Sequence, residues 1–245
     1  MSPKPAFFLS LLFSLLLSSS LSGKVKLPSI VSDGMVLQRD PEINIWGWAD
    51  PGEEVTVSFR DQRLQTTTAH DGRWQLKVAP LAVGGPHSMY INGGNHITVR
   101  DVFVGDVWVC SGQSNMTHDF ARWQERYAAE IAASENPQIR QFYVPGTPVL
   151  TGPRDDLPGL SWKPSNPENL LKFTVIGYFF AKKIYDETHV PQGIIMSCVG
   201  GTPIEAWTSE AGFRTFPDEL AIVERNKDTA YVDRNQCRSQ GRSRI

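Results

Sequence analysis

Three mostly apolar runs alternate with two helical stretches after residue 101, and this order constrains the fold more than any other feature of the chain. The runs are VFVGDVWVC at 102–110, IRQFYV at 139–144 and GIIMSCV at 193–199; residues 120–133 and 171–188 have helical composition or periodicity. Continuous apolar runs are typical of strands that are buried on both faces. The order strand, helix, strand, helix, strand predicts an α/β fold in which helices cover a parallel sheet.

The second helical stretch and the passage before it have different patterns. In 171–188 the apolar residues expected on one face are Phe173, Ile176, Gly177, Phe180, Ala181 and Ile184. Pro191 prevents the helix from continuing. The Pro-rich passage 145–167 is too long for a simple connection, so we expect a surface or binding loop there.

Residues 27–100 consist of short β-type runs separated by turn residues, which predicts a small β-sandwich. Trp46, Trp48 and Trp74 occur in these runs. They could form a platform on which a sugar stacks, but core or inter-sheet packing is favoured because aromatic side chains gain much free energy from burial.

The chain ends and the overall charge bear on localisation and partners. Lys4 precedes an apolar run at 6–17 and then small residues, which indicates a secretory signal peptide at 1–23 rather than a buried N-terminal helix. We therefore expect a secreted or lysosomal protein, periplasmic if bacterial, with no membrane span in the mature chain.

A formal net charge of -2 gives no electrostatic footprint for nucleic acid. Residues 226–245 are polar and basic, which predicts a disordered or divergent tail.

Polar turns follow the first and third apolar runs of the predicted sheet. Residues 111–115 read SGQSN and residues 199–207 read VGGTPIEAW. Ligands of open α/β sheets bind beyond the carboxyl ends of the strands. The two turns should therefore converge on one crevice.

The motifs in these turns resemble those of a known family. GQSNM at 112–116, preceded by GDVWVCS and followed by GGTPIEAW at 200–207, resembles the sialate O-acetylesterase family, a carbohydrate-esterase branch of the SGNH hydrolases. The segments 35–59 and 161–170 resemble the same family, so the resemblance covers roughly 27–213. It implies a β-sandwich domain at 24–100, the N-terminal part of a flavodoxin-like SGNH-hydrolase domain at 101–225, and hydrolysis of acetyl esters on sugars or sialoglycans without a metal or cofactor.

The resemblance also assigns roles to the turn residues. Ser114 matches the family's nucleophile, and its own N–H can face the oxyanion that forms when the serine attacks. Gly201, or with less support Gly200, matches the glycine that gives a second N–H donor. The alternative role for Ser114 is structural: its side chain would cap the N-terminus of the following helix.

The remaining residues of the two motifs are expected to support the loops. We expect Ser111 and Gln113 to hold the first turn by hydrogen bonds, and Glu205 and Trp207 to brace the second; Asn115 and Thr202 are the other supporting residues. NMT at Asn115 is formally a glycosylation acceptor, but its place inside the turn argues against use.

Cys110 and Cys198 end neighbouring strands of the predicted sheet. Two buried free thiols are favoured there over a disulfide.

The chain departs from the family pattern after Trp207. Relatives carry there an amide side chain for the oxyanion hole and an Asp-x-x-His pair that activates the serine, and neither has a counterpart here. Asp186 and His189 have the right spacing, but they precede the third strand and so should lie far from Ser114; His118 is the nearest candidate base. Three hypotheses follow: a sugar O-acetylesterase whose present chain is C-terminally truncated and catalytically incomplete, a non-catalytic carbohydrate-binding or interaction protein, and an unstable truncated isoform.

Overall fold

The structure is a computed structural model that describes residues 24–147, 149 and 152–234. The predicted signal peptide at 1–23 and the end of the predicted tail, 235–245, lie outside the described residues. Among the helices that the structure does describe, none has the length and apolar character needed to cross a membrane.

Ten strands form two sheets in the described part of the chain. They are β1 (Val36–Gln38), β2 (Ile43–Trp48), β3 (Glu54–Phe59), β4 (Gln62–Thr67), β5 (Arg73–Val78), β6 (Gly84–Asn92), β7 (His96–Gly112), β8 (Asn136–Val144), β9 (Trp162–Ser165) and β10 (Gln192–Cys198). One sheet has the order β4-β3-β6-β7-β10-β8-β9, with β1 also paired to β7, and β2 and β5 form the second.

The part of the large sheet that carries the two polar turns is parallel. β10 lies between β7 and β8 and pairs in parallel with both, and β1 is parallel to β7. The prediction of a mixed α/β fold with a parallel sheet region is therefore confirmed.

β7 runs through the boundary predicted near residue 100. Its first half pairs antiparallel with β6, and its second half pairs parallel with β10. The β2–β5 pair contributes Ile45, Trp74 and Leu76 to a core shared with β3, β6 and β7. The large sheet thus continues across the predicted boundary, and the division into a β-sandwich and a second domain stays a prediction.

Five α-helices and three 3₁₀ turns lie in the described residues up to Asn226. The helices are α1 (Ser114–Thr117), α2 (Ala128–Ala132), α3 (Pro167–Leu170), α4 (Val175–Thr188) and α5 (Pro217–Asn226); the 3₁₀ turns are Phe120–Trp123, Ile204–Trp207 and Glu210–Thr215. The prediction of a single helix at 120–133 is wrong. The side chain of Asp119 accepts a hydrogen bond from the Arg122 N–H and closes a tight 3₁₀ turn there, and only α2 is helical beyond it.

α4 is shorter than expected and is rotated relative to the predicted face. It begins after Thr174, whose side chain caps it, and it buries Val175, Gly177, Tyr178 and Ala181. Ile176 and Phe180 are exposed, so their placement on the core face is wrong. The reason is a close approach of the helix to the sheet at Gly177, which turns Tyr178 into the core.

The Pro-rich passage and the tail contain some regular structure. β9 lies at the end of the passage predicted to be an irregular loop, and α3 begins there. In the tail, residues 229–234 are helical. The first part of this segment thus has regular structure, and a disordered or divergent tail at 226–245 stays a prediction.

The three tryptophans of the N-terminal part are not equivalent. Trp74 is buried and belongs to the core, as expected. Trp46 and Trp48 alternate with buried Ile45 and Gly47, and they face the opposite side of β2. The interpretation as core or inter-sheet packing is wrong for this pair.

Candidate active site

The two polar turns lie side by side because they follow neighbouring parallel strands. β7 ends at Gly112 and β10 ends at Cys198, and these two residues are partners in the strand register. The contact continues past the strands, where the Val199 N–H donates to the Gly112 carbonyl at 3.1 Å. The convergence expected from the strand order is present.

Ser114 begins the short helix α1 with its side chain exposed. The helix is preceded by Gln113 as N-cap residue, without a side-chain cap bond, and Ser114 itself is the first helical residue. No hydrogen bond of its hydroxyl is found within the described residues. The N-cap alternative is therefore wrong for Ser114, and the hydroxyl is accessible to a ligand.

The backbone of the first turn is held at both ends of α1. The Gln113 carbonyl accepts hydrogen bonds from the Thr117 hydroxyl at 2.9 Å and from the N–H groups of Met116 and Thr117. At the other end, the Thr174 hydroxyl donates to the Met116 carbonyl at 2.8 Å and the Val175 N–H donates to the His118 carbonyl at 2.9 Å. The start of α4 thus fixes the helix that carries Ser114.

The second turn brings its glycines to Ser114. A Cβ atom added to Gly200 would lie 3.8 Å from the Ser114 Cα and 3.9 Å from the Thr117 hydroxyl oxygen. Gly201 has φ +76°, a left-handed conformation that favours glycine, and a Cβ there would meet open space. The turn therefore places Gly200 directly against the serine, while Gly201 provides the change of backbone direction.

The side chains expected to support the turns contribute unequally. The Trp207 indole N–H donates to the Thr202 hydroxyl, which in turn donates to the Val199 carbonyl, both at 2.8 Å. Glu205 is exposed and its carboxylate has no hydrogen bond to the described residues, so it does not brace the loop.

In the first turn, the supporting residues act through the backbone or not at all. Gln113 uses its carbonyl oxygen rather than its side chain. Ser111 and Asn115 are exposed, and their side chains make no hydrogen bond to the described residues.

Ser114 lines an open depression of about 340 Å³. Its lining residues are Ser114, Thr117, His118, Asp119, Arg122 and Gly200. Asp119 and Arg122 were not anticipated from the sequence, because they enter the depression only through the tight turn that replaces the expected helix. The sequence signal for that turn is an Asp three residues before the Arg whose N–H it caps.

His118 lines the same depression as Ser114, but the two side chains are not connected. No hydrogen bond joins its ring to Ser114 in the described residues; the ring lies against Trp123, with 5.8 Å between ring centroids. The neighbouring Asp119 carboxylate is engaged by the Arg122 N–H at 3.1 Å. The arrangement places a hydroxyl and an imidazole in the same depression, with no hydrogen bond between them in the described residues.

His189 lies at the far end of the sheet, as expected. It is the exposed C-cap of α4, and β10 begins three residues later at Gln192, opposite Asp106 of β7. Ser114 follows the other end of β7. Strand geometry of about 3.3 Å per residue separates them by roughly 20 Å.

Comparisons with known proteins agree with these motifs. No family model matches the chain. Sialate O-acetylesterase from Homo sapiens is 31% identical over 229 residues, which cover 84% of this chain and 43% of the relative. The one from Mus musculus is 29% identical over 261 residues, covering 98% and 48%. The chain belongs to the sialate O-acetylesterase family. It spans less than half the length of these relatives.

A solved structure supports the same relationship. The crystal structure of a carbohydrate acetylesterase from Xanthomonas citri has a TM-score of 0.73 and 40% sequence identity, and the match covers 77% of this chain and 43% of that one. The fold and the sialate O-acetylesterase family assignment are therefore supported by sequence and structure together.

The two cysteines behind the site are free and buried. In the strand register Cys110 lies opposite Met196 and Cys198 lies opposite Gly112, so the two cysteines are offset by two residues on adjacent strands. That offset separates their Cα atoms by roughly 8 Å, beyond the 4.4–6.8 Å that disulfides span. Burial raises the pKa of both thiols, and a hydrogen bond from Thr117 partly offsets this at Cys198. The preference for free thiols is confirmed.

No metal site accompanies the serine in the described residues. No group of three or more His, Cys, Asp or Glu side chains among them is placed to hold a metal ion.

Proposed function

We propose that Ser114 is the nucleophile of a serine esterase that removes O-acetyl groups from sialic acid or a related acetylated sugar. The observation that carries this proposal is the exposed hydroxyl without a capping bond, placed against Gly200 at the ends of two parallel strands. The named activities of the human, mouse and Xanthomonas citri relatives support the substrate class.

In the proposed reaction, the Ser114 oxygen attacks the acetyl carbonyl carbon while a base takes the hydroxyl proton. The N–H groups of Ser114 and of Gly201 or Gly200 stabilise the oxyanion. Collapse of the tetrahedral intermediate releases the sugar hydroxyl, which takes back a proton, and leaves an acetyl-serine. Water then attacks this ester, and acetate leaves as Ser114 is restored.

We propose further that residues 1–245 alone carry out this reaction slowly. His118 is the nearest base, yet no bond connects it to Ser114 within the described structure. Serine hydrolases that lose triad members keep about 10³–10⁴-fold acceleration over water from binding and the oxyanion hole. Binding of acetylated sugar without turnover is the second candidate function, favoured by this same lack of connection.

A third proposal concerns the integrity of the isolated chain. In the described structure, the end of β7 pairs with β10 on one side only. Around it Val109, Ile176 and Phe180 are 70%, 48% and 45% exposed. Exposed apolar strand edges promote association, so low stability is expected for the chain on its own.

The proposal also includes the domain boundaries and the cellular location of the protein. We place a β-sandwich domain at 24–100 and the N-terminal part of an SGNH-hydrolase domain at 101–225. The leader-like segment at 1–23 supports entry into the secretory pathway.

Hydrolysis of p-nitrophenyl acetate and acetate release from O-acetylated sialic acid test the function. The full chain is compared with Ser114→Ala, His118→Ala and the control Ser111→Ala, which removes an exposed hydroxyl three residues away. We expect slow turnover that Ser114→Ala lowers to the level that binding and the oxyanion hole alone provide, and that Ser111→Ala leaves unchanged. Equal rates for the full chain and Ser114→Ala would overturn the assignment of the nucleophile, and a further loss in His118→Ala would identify the base.

A further inference from the structure

The outer face of the two-stranded sheet carries a half-buried pair of tryptophans. Trp46 and Trp48 point away from the core on β2, and their rings meet edge to face with 5.2 Å between centroids. Trp46 lies opposite exposed Gln75 of β5, and Trp48 lies opposite exposed Arg73. The edge-to-face contact holds the Trp46 ring in place before any ligand arrives.

A depression of about 640 Å³ surrounds Trp46. Its polar lining includes Asn44, Gln75, Asp71 and Arg73 from the β2–β5 region. This volume lies within the range of about 300–1,000 Å³ that is typical of small-molecule sites. Buried Trp74 also contributes to the lining, so the depression combines aromatic surface with amide, carboxylate and guanidinium groups.

The Pro-rich passage forms the other wall of the depression. It contributes Arg154 and Asp155, and Asp155 pairs with Arg73 across the gap. The passage is anchored next to this point, since the Asp156 carboxylate accepts hydrogen bonds from the N–H and the hydroxyl of Ser29. The wall is thus held by an ion pair to Arg73 of β5 and by hydrogen bonds to Ser29.

The charges of the depression are balanced. Its ionised side chains are Arg73, Arg154, Asp71 and Asp155, two positive and two negative, and Arg73 lies within ion-pair distance of both carboxylates. A phosphate or another strong anion would find no net positive field there. An uncharged ligand with many hydroxyl groups can use all of these donors and acceptors.

We propose that this depression binds a pyranose unit of a neutral glycan chain. The C–H groups of one sugar face lie on the negative face of the Trp46 indole. The sugar hydroxyls exchange hydrogen bonds with Gln75, Asn44 and the Arg73–Asp155 pair. The site shares no lining residue with the Ser114 depression, so it would hold a glycan independently of the esterase reaction.

Ligand-observed saturation-transfer NMR on the full chain tests this proposal. The probes are cello-, xylo-, manno- and lacto-oligosaccharides of four to six units, with 3′-sialyllactose as the charged comparison. Trp46→Ala removes the stacking face, and Gln75→Ala removes an exposed amide without altering the ring. Tyr90→Ala is the matched control, because Tyr90 is an exposed aromatic residue, 45% accessible, outside the depression.

We expect at least one neutral oligosaccharide to bind, with a dissociation constant that rises about tenfold or more in Trp46→Ala and about threefold in Gln75→Ala. Tyr90→Ala should bind like the unchanged chain, and thermal unfolding verifies that each variant is folded. Any Ser114-dependent hydrolysis of p-nitrophenyl acetate should be unaffected by Trp46→Ala, which separates this proposal from the esterase assignment.

Three results would overturn the proposal. They are the failure of every neutral oligosaccharide to bind, equal binding by the unchanged chain and both depression variants, or an equal loss in Tyr90→Ala. Binding of 3′-sialyllactose alone would show that the site recognises a carboxylate, and this result would also overturn the proposal of a neutral ligand.

Discussion

Replacing Gly177 by alanine should destabilise the protein, although alanine is the better helix former. Gly177 lies in the first turn of α4, where the helix approaches the sheet most closely. A Cβ atom there would lie 2.5 Å from the Thr174 Cγ2, 3.0 Å from the Cys110 Sγ and 3.4 Å from the Ile194 Cγ2. Real Cβ atoms do not tolerate the first of these distances, so Thr174 or the whole helix must move.

The expected loss follows from two opposing contributions. Alanine gains up to about 1 kcal/mol of helix propensity over glycine. Overpacking costs about 1–3 kcal/mol, and Thr174 cannot turn away freely, because its hydroxyl donates to the Met116 carbonyl at 2.8 Å. We therefore expect Gly177→Ala to lower the free energy of unfolding by about 1–2 kcal/mol, which corresponds to a fall of roughly 2–8 °C in Tm for a chain of this size.

A second substitution identifies the clash as the cause. Thr174→Ser removes the Cγ2 methyl group and keeps the hydroxyl that caps α4 and holds Met116. Thermal and urea unfolding of the two single variants and the double variant then give a coupling free energy. We expect the loss from Gly177→Ala to shrink by about 1 kcal/mol in the Thr174→Ser background. An increase in Tm for Gly177→Ala, or the same loss in both backgrounds, would refute this reasoning.

Three further predictions concern other features of the fold. His189→Gly should raise the free energy of unfolding by about 0.5–1 kcal/mol in urea titrations, because the residue has φ 56° at the end of α4; no gain would show that His189 is unstrained. With Cys237, the third cysteine of the sequence, replaced by serine so that only two thiols can react, Cys110 and Cys198 should react with a thiol reagent much faster after unfolding than before. Because burial raises both pKa values, the free energy of unfolding should also fall as the pH rises above about 8.5; a pH-independent stability would contradict their burial. Arg140→Ala should cost about 3–5 kcal/mol in the same urea assay, since its buried guanidinium hydrogen-bonds three backbone carbonyls and one carboxylate; a loss below about 1 kcal/mol would disprove that role.

The placement of the candidate site could be predicted because it depends on strand order alone. Apolar runs identified β7 and β10, and parallel neighbours end at the same edge of a sheet, so Ser114 and Gly200 had to approach each other. The side chains lining the depression could not be predicted in the same way. Asp119 and Arg122 reach it through a 3₁₀ turn that local hydrogen bonding selects over a helix of similar composition.

The continuity of β7 shows how a domain boundary can be visible in the sequence while the strand runs through it. The pattern changes at Arg100 and Asp101, and Asp101 does have φ 58°, which interrupts the extended backbone. The strand nevertheless continues, because Arg140 of β8 donates hydrogen bonds to the Asp101 carbonyl and carboxylate. A partner 39 residues away in the chain decides this, so no local pattern could reveal it.

The two outward tryptophans were misplaced for a different reason, since their sequence did contain the signal. In INIWGWA, residues 43, 45 and 47 share one face of the strand and residues 44, 46 and 48 share the other. Hydrophobicity favours burying the tryptophans, but a Cβ atom at Gly47 would lie 2.3 Å from the Lys26 carbonyl oxygen and 2.8 Å from the Cζ2 atom of the Trp74 ring. The glycine between the two tryptophans therefore marks the face of β2 that packs closely against other parts of the chain. Gly47 therefore assigns its own face to the core and leaves Trp46 and Trp48 on the outside, where they are available to a ligand.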